Sequence, residues 1–129
     1  MGEYIFRFPA DTPPLTYAEL SARIERQSQN HAYATGTIGT TVKIYRSNNH
    51  DGEPYVALYL YGLELANIYA GRVEFTEHGD RHTATTEWLA RICYDNGIRR
   101  LVYTEHFVRY VGGTPLEGHT FPVGEASPR

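Results

Sequence analysis

The stretch that decides the fold is Gly79-Asp80-Arg81-His82-Thr83-Ala84-Thr85-Thr86-Glu87-Trp88-Leu89-Ala90-Arg91-Ile92-Cys93-Tyr94-Asp95-Asn96-Gly97. It reads as a tight turn, a threonine-rich entry, one helix and a glycine stop. Thr85 or Thr86 can act as N-cap, because a hydroxyl there accepts from the free amides of the first turn. Glu87 then sets a negative charge near the positive end of the helix dipole. Leu89, Ile92 and Cys93 share one face at helical spacing, with Trp88 beside them. Asn96-Gly97 provides the left-handed residue that commonly closes a helix. The chain before this helix is patterned as sheet, and the helix is its expected cover.

Working back from there, 72–76 holds Val73 and Phe75 as inward residues, and Ala70-Gly71 turns the chain before it. The segment 55–61 alternates, with Tyr55, Ala57, Tyr59 and Tyr61 on one face and Val56, Leu58 and Leu60 on the other. Both faces are partly apolar, so this strand is expected to be central. Gly62 predicts a bend or bulge before the next strand, 63–69. Asn49-His50-Asp51-Gly52 is a turn signal between strands. On the strand before it, Val42, Ile44 and Arg46 point one way, Lys43 and Tyr45 the other. The glycine- and threonine-rich 30–41 reads as a loop with one weak edge strand.

Further upstream, Thr16 and Glu19 have capping-box spacing, and Leu15 and Leu20 have staple spacing. They open a helix that runs through Ile24 to about Gln29. Its narrow apolar stripe of Tyr17, Leu20 and Ile24 suits packing along one edge of a sheet. Residues 1–8 read as a short strand or extended arm, ended by Pro9, Pro13 and Pro14. Downstream of Gly97, 98–103 and 107–111 form a final hairpin. The expected whole is an α+β domain over 1–111, an antiparallel sheet of about five strands with two helices packed on it. Residues 112–129, rich in glycine and proline without periodicity, are expected to be a flexible tail.

The 129 residues suit one domain, and 41% hydrophobic with 21% charged residues is an ordinary globular composition. A formal net charge of −3 exerts no broad pull on nucleic acid or anionic membrane. All but one of the twelve basic residues are arginine, the exception being Lys43. A single cysteine, Cys93, excludes an intrachain disulfide and a cysteine-based zinc cluster, and its place on the apolar helix face predicts burial. No charged start followed by an apolar run is present, so a non-secreted protein is expected.

Catalytic signatures are lacking. Glu77, His78, Asp80 and His82 crowd one turn, and Glu105-His106 could approach it in space, but turn neighbours rarely converge at metal-bonding distance. No serine lies in a nucleophile elbow, and Gly36-Thr37-Ile38-Gly39 lacks the lysine and helix of a phosphate loop. No cofactor, metal or catalytic residue is expected. Two binding ideas remain. Arg81, His82, Thr83, Thr85 and Thr86 gather at the start of the second helix, where free amides favour an anion. The eleven tyrosines are the other unusual feature, with Tyr45, Tyr55, Tyr59 and Tyr61 as candidate interface anchors. Aromatic residues on a sheet can also stack nucleobases.

The order Thr41-Val42-Lys43-Ile44-Tyr45, the His50-Asp51-Gly52 turn, 56–61, Ile68, Arg72-Val73-Glu74-Phe75 and then 79–86 resembles a group of small tailed-phage proteins, especially from phages of actinobacteria. That group shows a strand, an Asp-Gly turn, two further strands, then Gly-Trp-Arg-Thr-x-Thr-Thr-Lys and a helix. His82-Thr83-Ala84-Thr85-Thr86 matches the Thr-x-Thr-Thr part. The aromatic after Gly79 is missing, Glu87 stands for the lysine, and Leu89 and Arg91 stand near the group's arginine and asparagine. The resemblance covers about 40–110 and implies a context rather than a mechanism, that of a non-structural accessory protein in the host cytoplasm. The leading expectation is therefore a non-catalytic phage accessory protein that binds a host or phage macromolecule, a protein first, with self-association through the tyrosine-rich sheet. The alternatives are sequestration of a nucleotide signal as an anti-defence protein, and single-stranded nucleic-acid binding.

Overall fold

The computed structural model describes residues 6–28, 34–77, 83–99, 102–105, 108–116 and 118–124. Its elements are α1 (Tyr17–Gln27), β1 (Thr35–Ile38), β2 (Val42–Asn48), β3 (Pro54–Leu60), β4 (Leu63–Ile68), β5 (Arg72–Phe75), α2 (Thr83–Asp95), β6 (Val102–Glu105), β7 (Val108–Val111), β8 (Thr114–Pro115) and β9 (Thr120–Pro122). Among the described residues these make one six-stranded antiparallel sheet in the order β1-β2-β3-β4-β5-β9, and a three-stranded sheet β6-β7-β8. The protein is an α+β domain, and β3 is an interior strand of the large sheet.

Local chemistry sets the chain reversals. Thr16, in extended backbone, caps α1, its hydroxyl accepting from the Glu19 amide at 3.3 Å. Between β2 and β3 the Asn49 carboxamide oxygen accepts from the amides of Asp51 and Glu53, both at 2.9 Å, and Gly52 takes φ +82°. Leu60 pairs with Leu63, so Tyr61-Gly62 is a two-residue hairpin loop, with φ +51° and +81°. Two positive φ values match the right-handed strand twist, at a steric cost that only Tyr61 incurs. Tyr61 thus leaves the β3 face on which alternation had set it and stands at the hairpin tip, 75% exposed.

Leu65 is the extra residue of a bulge opposite Leu58 and Tyr59. It is fully buried, and its carbonyl accepts from the amides of both Thr76 and Glu77 at 3.0 Å. The bulge lets Glu64 stay outward while both Leu65 and Ala66 enter the core.

α2 ends in a Schellman closure: the Ile98 amide donates to Cys93, the Gly97 amide to Tyr94, and Gly97 has φ +71°. Its start differs from the sequence reading. The helix already includes Thr83, so Thr85 and Thr86 lie inside it rather than at the N-cap; Thr85 is buried. Burying a threonine on the inner helix face outweighs its preference for capping. Trp88, Leu89, Ile92 and Cys93 of α2 join Leu20 and Ile24 of α1 in a single apolar core with one face of the large sheet.

The expected tail needs a larger correction. Thr114–Pro115 and Thr120–Pro122 are strands, and β9 pairs with β5 at Arg72, Val73 and Glu74. Leu116 is fully buried, and the Phe121 ring meets Phe75 edge-on at 5.7 Å. Residues 112–116 and 118–124 are thus part of the domain; 125–129 lie outside the described residues. Strands of two and three residues are too short to show a period. The hairpin expected after Gly97 is β6-β7, starting at Val102. The arm expected at 1–8 contributes Phe6 and Phe8 to the core margin without a strand among its described residues.

Candidate functional site

Directly paired residues of an antiparallel sheet lie on the same face, so register sorts the side chains. One face carries Val42, Ile44, Leu58, Leu60, Ala66, Ile68, Val73 and Phe75, all buried beneath the helices. The opposite face has three rows. The first is Thr37, Lys43, Tyr59 and Glu64; the second is Thr35, Tyr45, Ala57, Asn67, Glu74 and Thr120; the third is Ser47, Tyr55, Tyr69, Arg72 and Pro122. Among the described residues no helix or second sheet covers this face.

The tyrosines on it are held, not loose. The rings of Tyr45 and Tyr59 meet edge-on at 5.3 Å, and the Tyr59 hydroxyl donates to Glu64 Oε2 at 2.8 Å. That hydrogen bond, with some burial, pushes the Tyr59 phenol up to about 12. Tyr55 and Tyr69 lie 5.2 Å apart, and the Arg72 guanidinium sits 3.9 Å over the Tyr69 ring while binding Glu53 at 2.7 Å. Arg72 holds the Glu53 carboxyl below its usual range. Ala57, between these two aromatic pairs, makes a shallow dip. The result is a fixed amphipathic patch, apolar in its rings and polar at its tips.

Both edges of the sheet are partly blocked. The backbone amide of Arg46 donates to the Ala34 carbonyl, so by alternation Thr35 and Thr37 turn their amides and carbonyls outward. The Gln27 carboxamide accepts from the Thr37 amide at 2.7 Å and donates to its carbonyl at 3.1 Å, and Arg23 Nε adds a bond at 2.9 Å. A side chain thus occupies the place of a neighbouring strand. Gly36 makes room for it, since a Cβ there would stand 2.6 Å from Gln27 Oε1. Asp11 braces the same corner through Arg23 and the Gly39 amide, which together lower its carboxyl pKa. On the other edge, β9 turns Thr120 and Pro122 outward, and proline has no amide to offer.

The sequence-derived interface residues therefore divide. Tyr45, Tyr55 and Tyr59 come together, Tyr69 joins them, and Tyr61 does not. Tyr69, buried beside Tyr55, was not among the sequence candidates; its place opposite Arg72 across the Ala70-Gly71 turn is the signal that finds it.

The anion site expected at the start of α2 is only partly in view. Arg81 and His82 lie outside the described residues, as do His78, Asp80 and His106 of the histidine-rich grouping. Thr86 accepts from Arg109 Nη2 at 3.0 Å, and Arg109 Nη1 lies 2.8 Å from Glu77 Oε1. Both charged residues are buried, so Thr86 ties β7 to α2 and Glu77 ties it to the end of β5. Of the three threonines, only Thr83 is exposed. Beside it a cavity of about 510 Å³ runs between Phe6, Pro9, Thr41, Tyr61, Ala84 and Trp88. A second, of about 570 Å³, opens at the β1 edge and is lined by Arg26, Gln27, Thr35, Thr37, Lys43 and Tyr45. Among the described residues no three histidine, cysteine, aspartate or glutamate side chains are grouped to hold a metal. No helix among them is long and apolar enough to cross a membrane. No family model, curated protein or solved structure matches the chain.

Proposed function

We propose that this is a non-catalytic binding protein that docks another protein on its tyrosine-bearing sheet face. The observation that carries the reading is an uncovered face holding Tyr45, Tyr55 and Tyr59 in fixed positions, with Tyr69 buried among them. Tyrosine supplies contact area at low entropic cost and satisfies its own polar end at an interface. The partly blocked edges add to this: a partner strand finds few free amides, so the face is the better surface to meet it. A small phage accessory protein working on a host or phage protein in the host cell fits such a surface and the sequence resemblance.

The test replaces Tyr45 and Tyr59 by alanine together. Association with other chains should fall sharply while circular dichroism and the folded transition persist. A folded double variant that associates as well as the wild type contradicts the reading.

A second reading has its own observation. The cavity at the β1 edge sets Arg26 and Lys43 beside the Tyr45 ring, suiting an anionic ligand with a planar ring, such as a nucleotide signal. A nucleotide at about 100 times its dissociation constant would add ~2.7 kcal/mol of stability. A thermal-shift panel showing no stabilisation removes this reading.

A further inference from the structure

Charge is unevenly distributed over the exposed sheet face. Lys43 lies toward the β1 side with Arg26 next to it at the same margin. Among the described residues neither has an ion-pair partner. Glu64 and Glu74 lie on β4 and β5, on the far side of β3. Among the described residues Glu64 accepts from the Tyr59 hydroxyl, and Glu74 accepts from the Asn67 carboxamide at 3.3 Å and feels the Arg72 charge. Apart from Arg72, whose charge is taken up by Glu53, the two signs thus stand at comparable distances from β3, one on each side.

Resting on the proposed role of this face, we infer that its occupant is a second copy of this chain, packed face to face about a two-fold axis running along β3. Such an axis carries each row onto itself and exchanges the two sides of the face. Lys43 then meets Glu64 of the other copy, because both lie one strand from β3 in the same row. Arg26 at the β1 margin falls toward Glu74 of the other copy. Tyr59 and Ala57 lie on the axis, and the small side chain of Ala57 at its centre lets the sheets approach. An in-plane axis across the strands instead sets Lys43 against Ser47 and leaves its charge unmatched. Charge matching therefore selects the axis along β3, and an isologous contact follows.

Size is compatible. Six strands span roughly 24 Å, and the face runs about 20 Å along them. Two such footprints bury on the order of 1,000 Å², the lower bound for a specific interface, before the relief of standing tyrosines is counted. Aligned packing of two sheets is an ordinary arrangement.

The experiment is sedimentation equilibrium on the full chain, wild type against Lys43→Glu, Glu64→Lys and the double swap, with circular dichroism confirming that each folds. The wild type should be a dimer of the 14.7 kDa chain. Each single swap should raise the dimer dissociation constant about tenfold or more, and the double swap should recover most of that loss. Glu64→Gln, which removes charge and keeps shape, guards against a swap that fails to fold and should weaken the dimer less. A monomeric wild type overturns the inference. So does a dimer indifferent to both single swaps, or one that the double swap weakens further. A monomer whose association with another protein still depends on Tyr45 and Tyr59 removes the second copy alone and leaves the face reading standing.

Discussion

The two faces of the large sheet come from the same residues of the same strands, yet they do different things. The inner face is aliphatic, closed by Leu20, Ile24, Trp88, Leu89 and Ile92, and excludes water. The outer face carries tyrosines bound to one another and to Glu64 and Arg72, and meets no other element among the described residues. Period-two patterning sends alternate residues to two environments, and only one of them is needed to fold the chain. Stability belongs chiefly to the first face, and the second is the one proposed to meet a partner.

Substitutions should separate the faces in order of size. Trp88→Ala empties the centre of the inner core and should cost ~3–5 kcal/mol by chemical denaturation. The same truncation at Tyr45 should cost about 1 kcal/mol, chiefly its edge-on contact with Tyr59. Near-equal losses would mean that the outer face is also core. Arg109→Met removes the cation beside the buried Glu77 carboxylate and the donor to Thr86, and should cost ~3 kcal/mol or more, showing as release of β7 from α2 in hydrogen exchange. Asn96→Ala comes next. Its side chain donates to the carbonyls of Leu15 and Ile92, both at 2.8 Å, so about 2 kcal/mol should be lost and exchange should quicken at the end of α2.

The smallest effect is a pH dependence on the outer face. The fold favours the protonated Tyr59 phenol, raising it from 10.0 to about 12. Its contribution is therefore complete below pH 10 and is lost as pH rises through about 12. Denaturation midpoints measured across that window should fall less steeply for Tyr59→Phe than for the wild type.

Signals that were legible in the sequence are those that one residue or one short period carries. Thr16 capped α1, Asn49 to Gly52 turned the β2–β3 hairpin, Asn96-Gly97 closed α2, and alternation in 55–61 made β3 an interior strand. The parts that were not legible depend on distant partners. β9 is a strand because β5 offers it an edge, and Gln27 reads as an exposed helix residue until Thr37 stands beside it. Tyr61 continued an alternating run, but the hairpin needed two positive φ values at that point. The α2 start was displaced because Thr85 is consumed by the core and Thr86 by Arg109. Of the site, the tyrosines were visible; the bare face that gives them meaning appears only with the helices in place.

The most direct measurement places a photoreactive phenylalanine analogue at Ser47, exposed on the outer face, and in a separate variant at Tyr94, 83% exposed on α2. Both variants are irradiated in the cells that express them. Adducts to protein should form from Ser47 and be nearly absent from Tyr94. Equal yields at the two positions, or adducts from Tyr94 alone, would contradict the assignment of the tyrosine face as the docking surface.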